Sequence, residues 1–122
     1  MAFAVATKVN RGAVQEFTGG ETTGSDYCID TTDETPAELS KYDYYVLTSA
    51  TGDDDLKFYM SPDGGTTWFQ LAMVPLSTVD TTPVLVATGG EVYGISGSFR
   101  DIRVGNGTAT LVTLMASKLK GA

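Results

Sequence analysis

Residues 56–74 read LKFYMSPDGGTTWFQLAMV, and this stretch decides the fold class. An apolar and aromatic run, LKFYM, stops at Ser61-Pro62-Asp63-Gly64-Gly65-Thr66-Thr67. A second run then starts at Trp68. Pro, Asp and two successive glycines are turn formers, each for its own backbone reason. Two β-type runs separated by such a cluster predict an antiparallel hairpin. The Asp63 carboxylate is expected to accept hydrogen bonds from the turn N–H groups, Gly64 and Gly65 to take positive φ, and Trp68 to pack the hairpin onto the core. On that reading Trp68→Ala would cost about 3–5 kcal/mol.

The same rhythm extends in both directions. Short β-branched or aromatic runs alternate with Gly, Asp, Asn and Thr, and good helix formers are sparse. Strands are expected at 3–9, 14–18, 27–29, 42–49, 56–61, 68–74, 84–87, 91–96, 101–104 and 108–117. The whole chain, residues 1–122, therefore reads as one all-β domain, an antiparallel β-sandwich of jelly-roll-like type. At most one short helical turn is expected, near 36–40, where Thr35 and Glu38 have capping-box spacing around Pro36. In YDYYVLTS, residues 42–49, Tyr42, Tyr44, Val46 and Thr48 share one face, and Asp43, Tyr45, Leu47 and Ser49 share the other. No internal repeat is evident, which argues against a propeller or solenoid within the chain.

The composition narrows the chemistry. There is no histidine and a single cysteine among 122 residues. A Ser-His-Asp or Cys-His catalytic set cannot be built within one chain, nor can a histidine-containing zinc site or an intrachain disulfide. The net charge is −7. The acids crowd between Glu16 and Asp63, where only Lys41 and Lys57 are basic, and the end of the chain from Arg100 is basic. Such acidity argues against a general nucleic-acid binder. The N-terminal apolar run is too short for a secretory signal, and no stretch of about 18 apolar residues exists to span a membrane. Synthesis in a reducing cytoplasm, with no nucleic-acid or membrane partner, is the expectation.

Candidate sites are few. Ser61, Asp63, Gly65, Thr67 and Trp68 fit S-x-D-x-G-x-T-W, which resembles the Asp-box of sialidases. That motif is a structural turn, and a sialidase carries several around a propeller, so a single copy implies a turn and no catalysis. Thr51-Gly52-Asp53-Asp54-Asp55 offers three carboxylates but lacks the alternate spacing of a calcium loop, and a solvated acidic turn is expected there. Asp63 and Asp101 are the carboxylates an acid–base enzyme would use, yet no spacing sets them across a cleft. Tyr42, Tyr44, Tyr45, Tyr59, Trp68, Phe69 and Tyr93 would serve a carbohydrate-binding module as a stacking platform, or a sandwich as core. No catalytic residue, metal site or cofactor is assigned.

The closing run TATLVTLMASKLK is apolar on both faces. Leu111 and Met115 fall on the face that an ordinary strand would leave wet. It is either a central strand or an interface strand, and the run containing Phe3 and Val5 has similar character. Exposed apolar edges invite association. Phe3, Val5, Arg100, Arg103, Leu111 and Met115 are thus the candidate interface, with the two arginines available to acidic loops of the same or a neighbouring copy.

Three pieces together, KFYMSPDGGTTWFQL, GGEVYGISGSFRDIRV and TATLVTLMASK, resemble small β-sandwich structural proteins of tailed bacteriophages. The resemblance covers roughly half of the chain. It implies a non-enzymatic virion protein, a capsid decoration or cement protein that binds the major capsid protein or another virion protein. A homotrimer is favoured, because cyclic closure covers exposed edges. A neck or tail component would share the same fold.

Overall fold

The computed structural model describes residues 7–11, 14–19, 27–33, 42–53, 55–105, 107–108 and 110–118. Ten strands form two antiparallel sheets: β1 (Thr7–Arg11), β2 (Val14–Gly19), β3 (Tyr27–Asp30), β4 (Tyr44–Ser49), β5 (Lys57–Ser61), β6 (Phe69–Leu71), β7 (Val74–Pro75), β8 (Val92–Ser96), β9 (Asp101–Gly105) and β10 (Val112–Ser117). One sheet has the order β1-β2-β10-β4-β8-β7 and the other β3-β9-β5-β6. A 3₁₀ turn at Thr31–Asp33 follows β3. The all-β sandwich expected from the sequence is what forms. The helical turn expected near 36–40 lies outside the described residues, as do Phe3 and Val5.

Alternation explains how the strands bury one face each. In β4, Tyr45 and Leu47 point into the core, while Tyr44, Val46 and Thr48 point outward. β10 does the same with Val112, Leu114 and Ala116 inward. From the opposing sheet come Phe58, Ile102 and Val104, all fully buried. Tyr45 stacks on Phe99 with centroids 5.5 Å apart, and Phe58 lies 5.9 Å from Tyr45 and 6.1 Å from Phe99. This aromatic trio fills the middle of the sandwich. A bulge in β3 between Tyr27 and Ile29 turns both Cys28 and Ile29 inward and leaves Tyr27 on the outer face. The Cys28 thiol donates to the Val104 carbonyl at 3.3 Å, and burial pushes its pKa up to about 12.

Two expected strands differ. The run 68–74 is not one strand, because β6 belongs to the four-stranded sheet and β7 to the six-stranded sheet. The chain changes sheets at Ala72 and Met73, and Met73 anchors the corner in the core. The run 84–87 pairs only through isolated bridges, Val84 to Met73 and Ala87 to Leu56. Pro83 supplies no N–H for a ladder, and the segment wraps the sheet corner instead. In the closing run β10 is central in its sheet, hydrogen-bonded to β2 and β4, and leaves Met115 exposed on its outer face.

Candidate interaction surfaces

The hairpin turn forms as its residues dictate. Asp63 Oδ1 accepts from the N–H groups of Thr66 at 3.1 Å and Thr67 at 2.8 Å, and from the Ser61 hydroxyl at 2.8 Å. Ser61 Oγ in turn accepts from Gly65 N–H at 2.8 Å. Gly64 and Gly65 have φ of 79° and 100°, the left-handed region that only glycine enters without strain. The Thr67 N–H, then the Ser61 hydroxyl, hold the Asp63 carboxyl near a pKa of about 2. The unfolded carboxyl titrates near ~3.9. The turn's contribution is therefore whole above that value and is lost as pH falls through 2. A carboxyl-detected NMR titration should place the Asp63 midpoint near 2, and higher in Ser61→Ala. An ordinary midpoint in the native protein would contradict this network.

Trp68 departs from its expected place. It is half-buried and lies outside the core. Its ring lies on the outer face of the four-stranded sheet, with the Arg103 guanidinium carbon 4.1 Å from the ring centroid. The same guanidinium lies 4.0 Å from the Tyr27 centroid and 5.6 Å from that of Tyr59. The cavity cost of a core tryptophan accordingly does not apply to Trp68→Ala. Arg103 is thus held by aromatic rings, not by an acidic loop. Arg100 is exposed and pairs with its own neighbour Asp101 at 3.7 Å.

The acidic turn is also different from the expected solvated loop. Asp53 is 4% exposed. Its Oδ1 accepts from Thr110 N–H at 2.9 Å and the Thr110 hydroxyl at 3.0 Å, and its Oδ2 accepts from Ala50 N–H at 3.1 Å. Asp55 is exposed, with φ of 58°, and Asp54 lies outside the described residues. Among the described residues no group of three metal-ligating side chains comes together. Asp101 accepts from the buried Thr31 hydroxyl at 3.1 Å, so it and Asp63 are each engaged in separate structural bonds.

Of the candidate interface, Leu111 and Met115 are 50% and 37% exposed. β10 presents Met115 from a face, since both of its edges are paired, and Leu111 immediately precedes the strand. Sequence reasoning missed a larger surface. Segment 69–86 exposes Phe69, Val74, Leu76, Val79, Leu85 and Val86. It carries β6 and β7, so it forms an edge of both sheets at once. Gln70 ties the wrapping segment to β6 by donating to the Leu85 carbonyl at 2.9 Å. Tyr44, Leu71, Val74, Leu76 and Gly94 line a groove of about 310 Å³ beside it. The signal was in the sequence: VPLSTVDTTPVLV carries apolar residues between two prolines, and proline in β proteins favours edges.

No protein-family model matches the chain, and no curated protein matches it. Among solved structures, the fold is similar to the crystal structure of the SPBc2 prophage-derived protein YomS, with a TM-score of 0.51 and 13% identity, covering 88% of this chain and 97% of that one. At that identity the likeness is one of architecture: both chains fold as the same kind of β-sandwich over nearly their full lengths.

Proposed function

We propose that this chain is a non-enzymatic structural protein of a bacteriophage virion, a capsid decoration or cement protein that binds the assembled shell as a homotrimer. The observation that carries the reading is segment 69–86, which supplies an edge strand to each sheet and exposes six large apolar side chains. A lone soluble domain rarely leaves so much apolar side chain on one edge, and a partner that covers it gains the hydrophobic free energy of that burial. The fold shared with a prophage-derived protein supports the phage setting. The mechanism is linkage: a protein that binds assembled shell and not free subunits adds its binding free energy to the shell's resistance to rupture.

Light scattering on the eluting protein should give three times the 12.9 kDa chain mass. The double variant Leu85→Asp, Val86→Asp should elute as a folded monomer and fail to co-sediment with the phage's bare shells. A ring of five, six or more copies would replace this reading with a neck or tail position. A monomer that ignores the shells would overturn it.

A further inference from the structure

Arg103 stands mid-strand in β9, on the outer face of the four-stranded sheet. Register builds its surroundings: Tyr59 of β5 pairs directly with it, Tyr27 comes from β3, and Trp68 leads into β6. Tyr27 and Tyr59 meet edge to face, with centroids 5.9 Å apart and planes at 84°. The guanidinium lies over both the Tyr27 and the Trp68 ring, its carbon at near-equal distance from them, 4.0 and 4.1 Å. Its edge is not occupied. The Arg103 Nε is buried without a hydrogen-bond partner. The acids nearest in the sheet are turned elsewhere. Asp30, opposite Arg103 in register, accepts from Thr32 N–H at 3.0 Å and from the Thr32 hydroxyl at 2.5 Å. Asp101 is held by Thr31 and Arg100. Among the described residues no carboxylate pairs with Arg103.

We propose that the Tyr27–Arg103–Trp68 cradle, with Tyr59 beside it, is a docking site for a carboxylate carried by an acidic segment of a protein partner. A guanidinium presents its N–H groups in one plane and matches a carboxylate with two parallel bonds. Ring contacts hold the guanidinium in place, so part of its rotamer entropy is lost before the partner arrives. Arg, Trp and Tyr are the residue types that anchor protein interfaces, and these four lie half-buried, ready to be desolvated by a covering surface. Their positions on successive strands make a broad sheet face, which suits a macromolecule better than an enclosed small ligand. In a chain of charge −7 an unpaired arginine so placed offers charge complementarity to an acidic partner that the rest of the surface repels. The site stands independently of the apolar edge and of the shell-binding reading.

Trp68 is the chain's single tryptophan, so its emission reports on the cradle. The protein is titrated at fixed ionic strength with a blocked hexaglutamate peptide, with hexaglutamine and with oligogalacturonate. A saturable change with hexaglutamate and none with hexaglutamine is expected. Arg103→Lys, which keeps the charge but loses the planar fork, should bind at least tenfold more weakly with unchanged circular dichroism. Equal responses to hexaglutamate and hexaglutamine, no response to either, or unchanged affinity in Arg103→Lys would overturn the site. Tighter binding of oligogalacturonate would overturn it in favour of an acidic glycan. A trimer that ignores hexaglutamate removes this site and leaves the shell reading intact, whereas a monomer that ignores the shells but responds to hexaglutamate does the reverse.

Discussion

Gly89→Ala should cost about 3 kcal/mol, read as a lowered midpoint in urea unfolding followed by circular dichroism. A Cβ at residue 89 would lie 2.3 Å from the Ala50 carbonyl oxygen and 2.7 Å from both the N and the O of Asp53. All three are backbone atoms, so no side chain can rotate aside. The crowding exists because three loops are tied at one point. Gly89 N–H donates to Asp53 O at 3.0 Å, Gly90 N–H to Ser49 O at 3.0 Å, and Ala50 N–H to Leu111 O at 3.1 Å. Asp53 closes the knot through Thr110. A glycine is needed there for close approach. A variant of native stability would mean that the loops can separate without loss, and would contradict the knot.

Phe58→Ala should destabilise by about 3–5 kcal/mol, the usual cost of a cavity left by a buried phenylalanine. Phe58 is fully buried and touches both Tyr45 and Phe99 across the sandwich. Two ring–ring contacts are lost with the side chain and form part of that cost. Against a domain stability of roughly 5–15 kcal/mol, the thermal midpoint should fall by well over 10 °C. Phe69→Ala, at a ring that is 51% exposed, is the matched control and should move the midpoint little in the monomer. Similar shifts in the two variants would contradict the assignment of Phe58 to the centre of the core.

What could be read from the chain followed from local pattern. Alternation alone sets Tyr45 and Leu47 against Tyr44 and Val46, and the structure keeps that division, but Tyr42, placed with Tyr44 by the pattern, precedes the strand and lies in the core. The 61–68 turn was legible because Asp63 bonds to its near neighbours. The failures involve partners far along the chain. Nothing near Trp68 announces that Arg103 will take its face, because that contact depends on the pairing of β5 with β9. Asp53 looked solvated beside two more aspartates, but Thr110 buries it from the far side. The runs 68–74 and 84–87 read as strands because aromatic and β-branched residues favour strands, whatever their place in the fold. The step from one sheet to the other at Ala72 and Met73 leaves no local mark.

The strand orders also set a timetable. β2 and β4 share no hydrogen bonds with each other, because β10 lies between them, and β3 and β5 are likewise joined only through β9. While the chain emerges from a ribosome, everything up to residue 100 can form only the hairpins β1–β2 and β5–β6 and the ribbon β4–β8–β7, with β3 lacking its neighbour. Each sheet then lacks a central strand, so neither layer is whole enough to bury the other. The last two strands made slot into the middle of the two sheets and join the fragments in one late, long-range step. Such a topology folds slowly and nearly all at once. A message truncated before β9 would yield a chain with no complete sandwich to stabilise it.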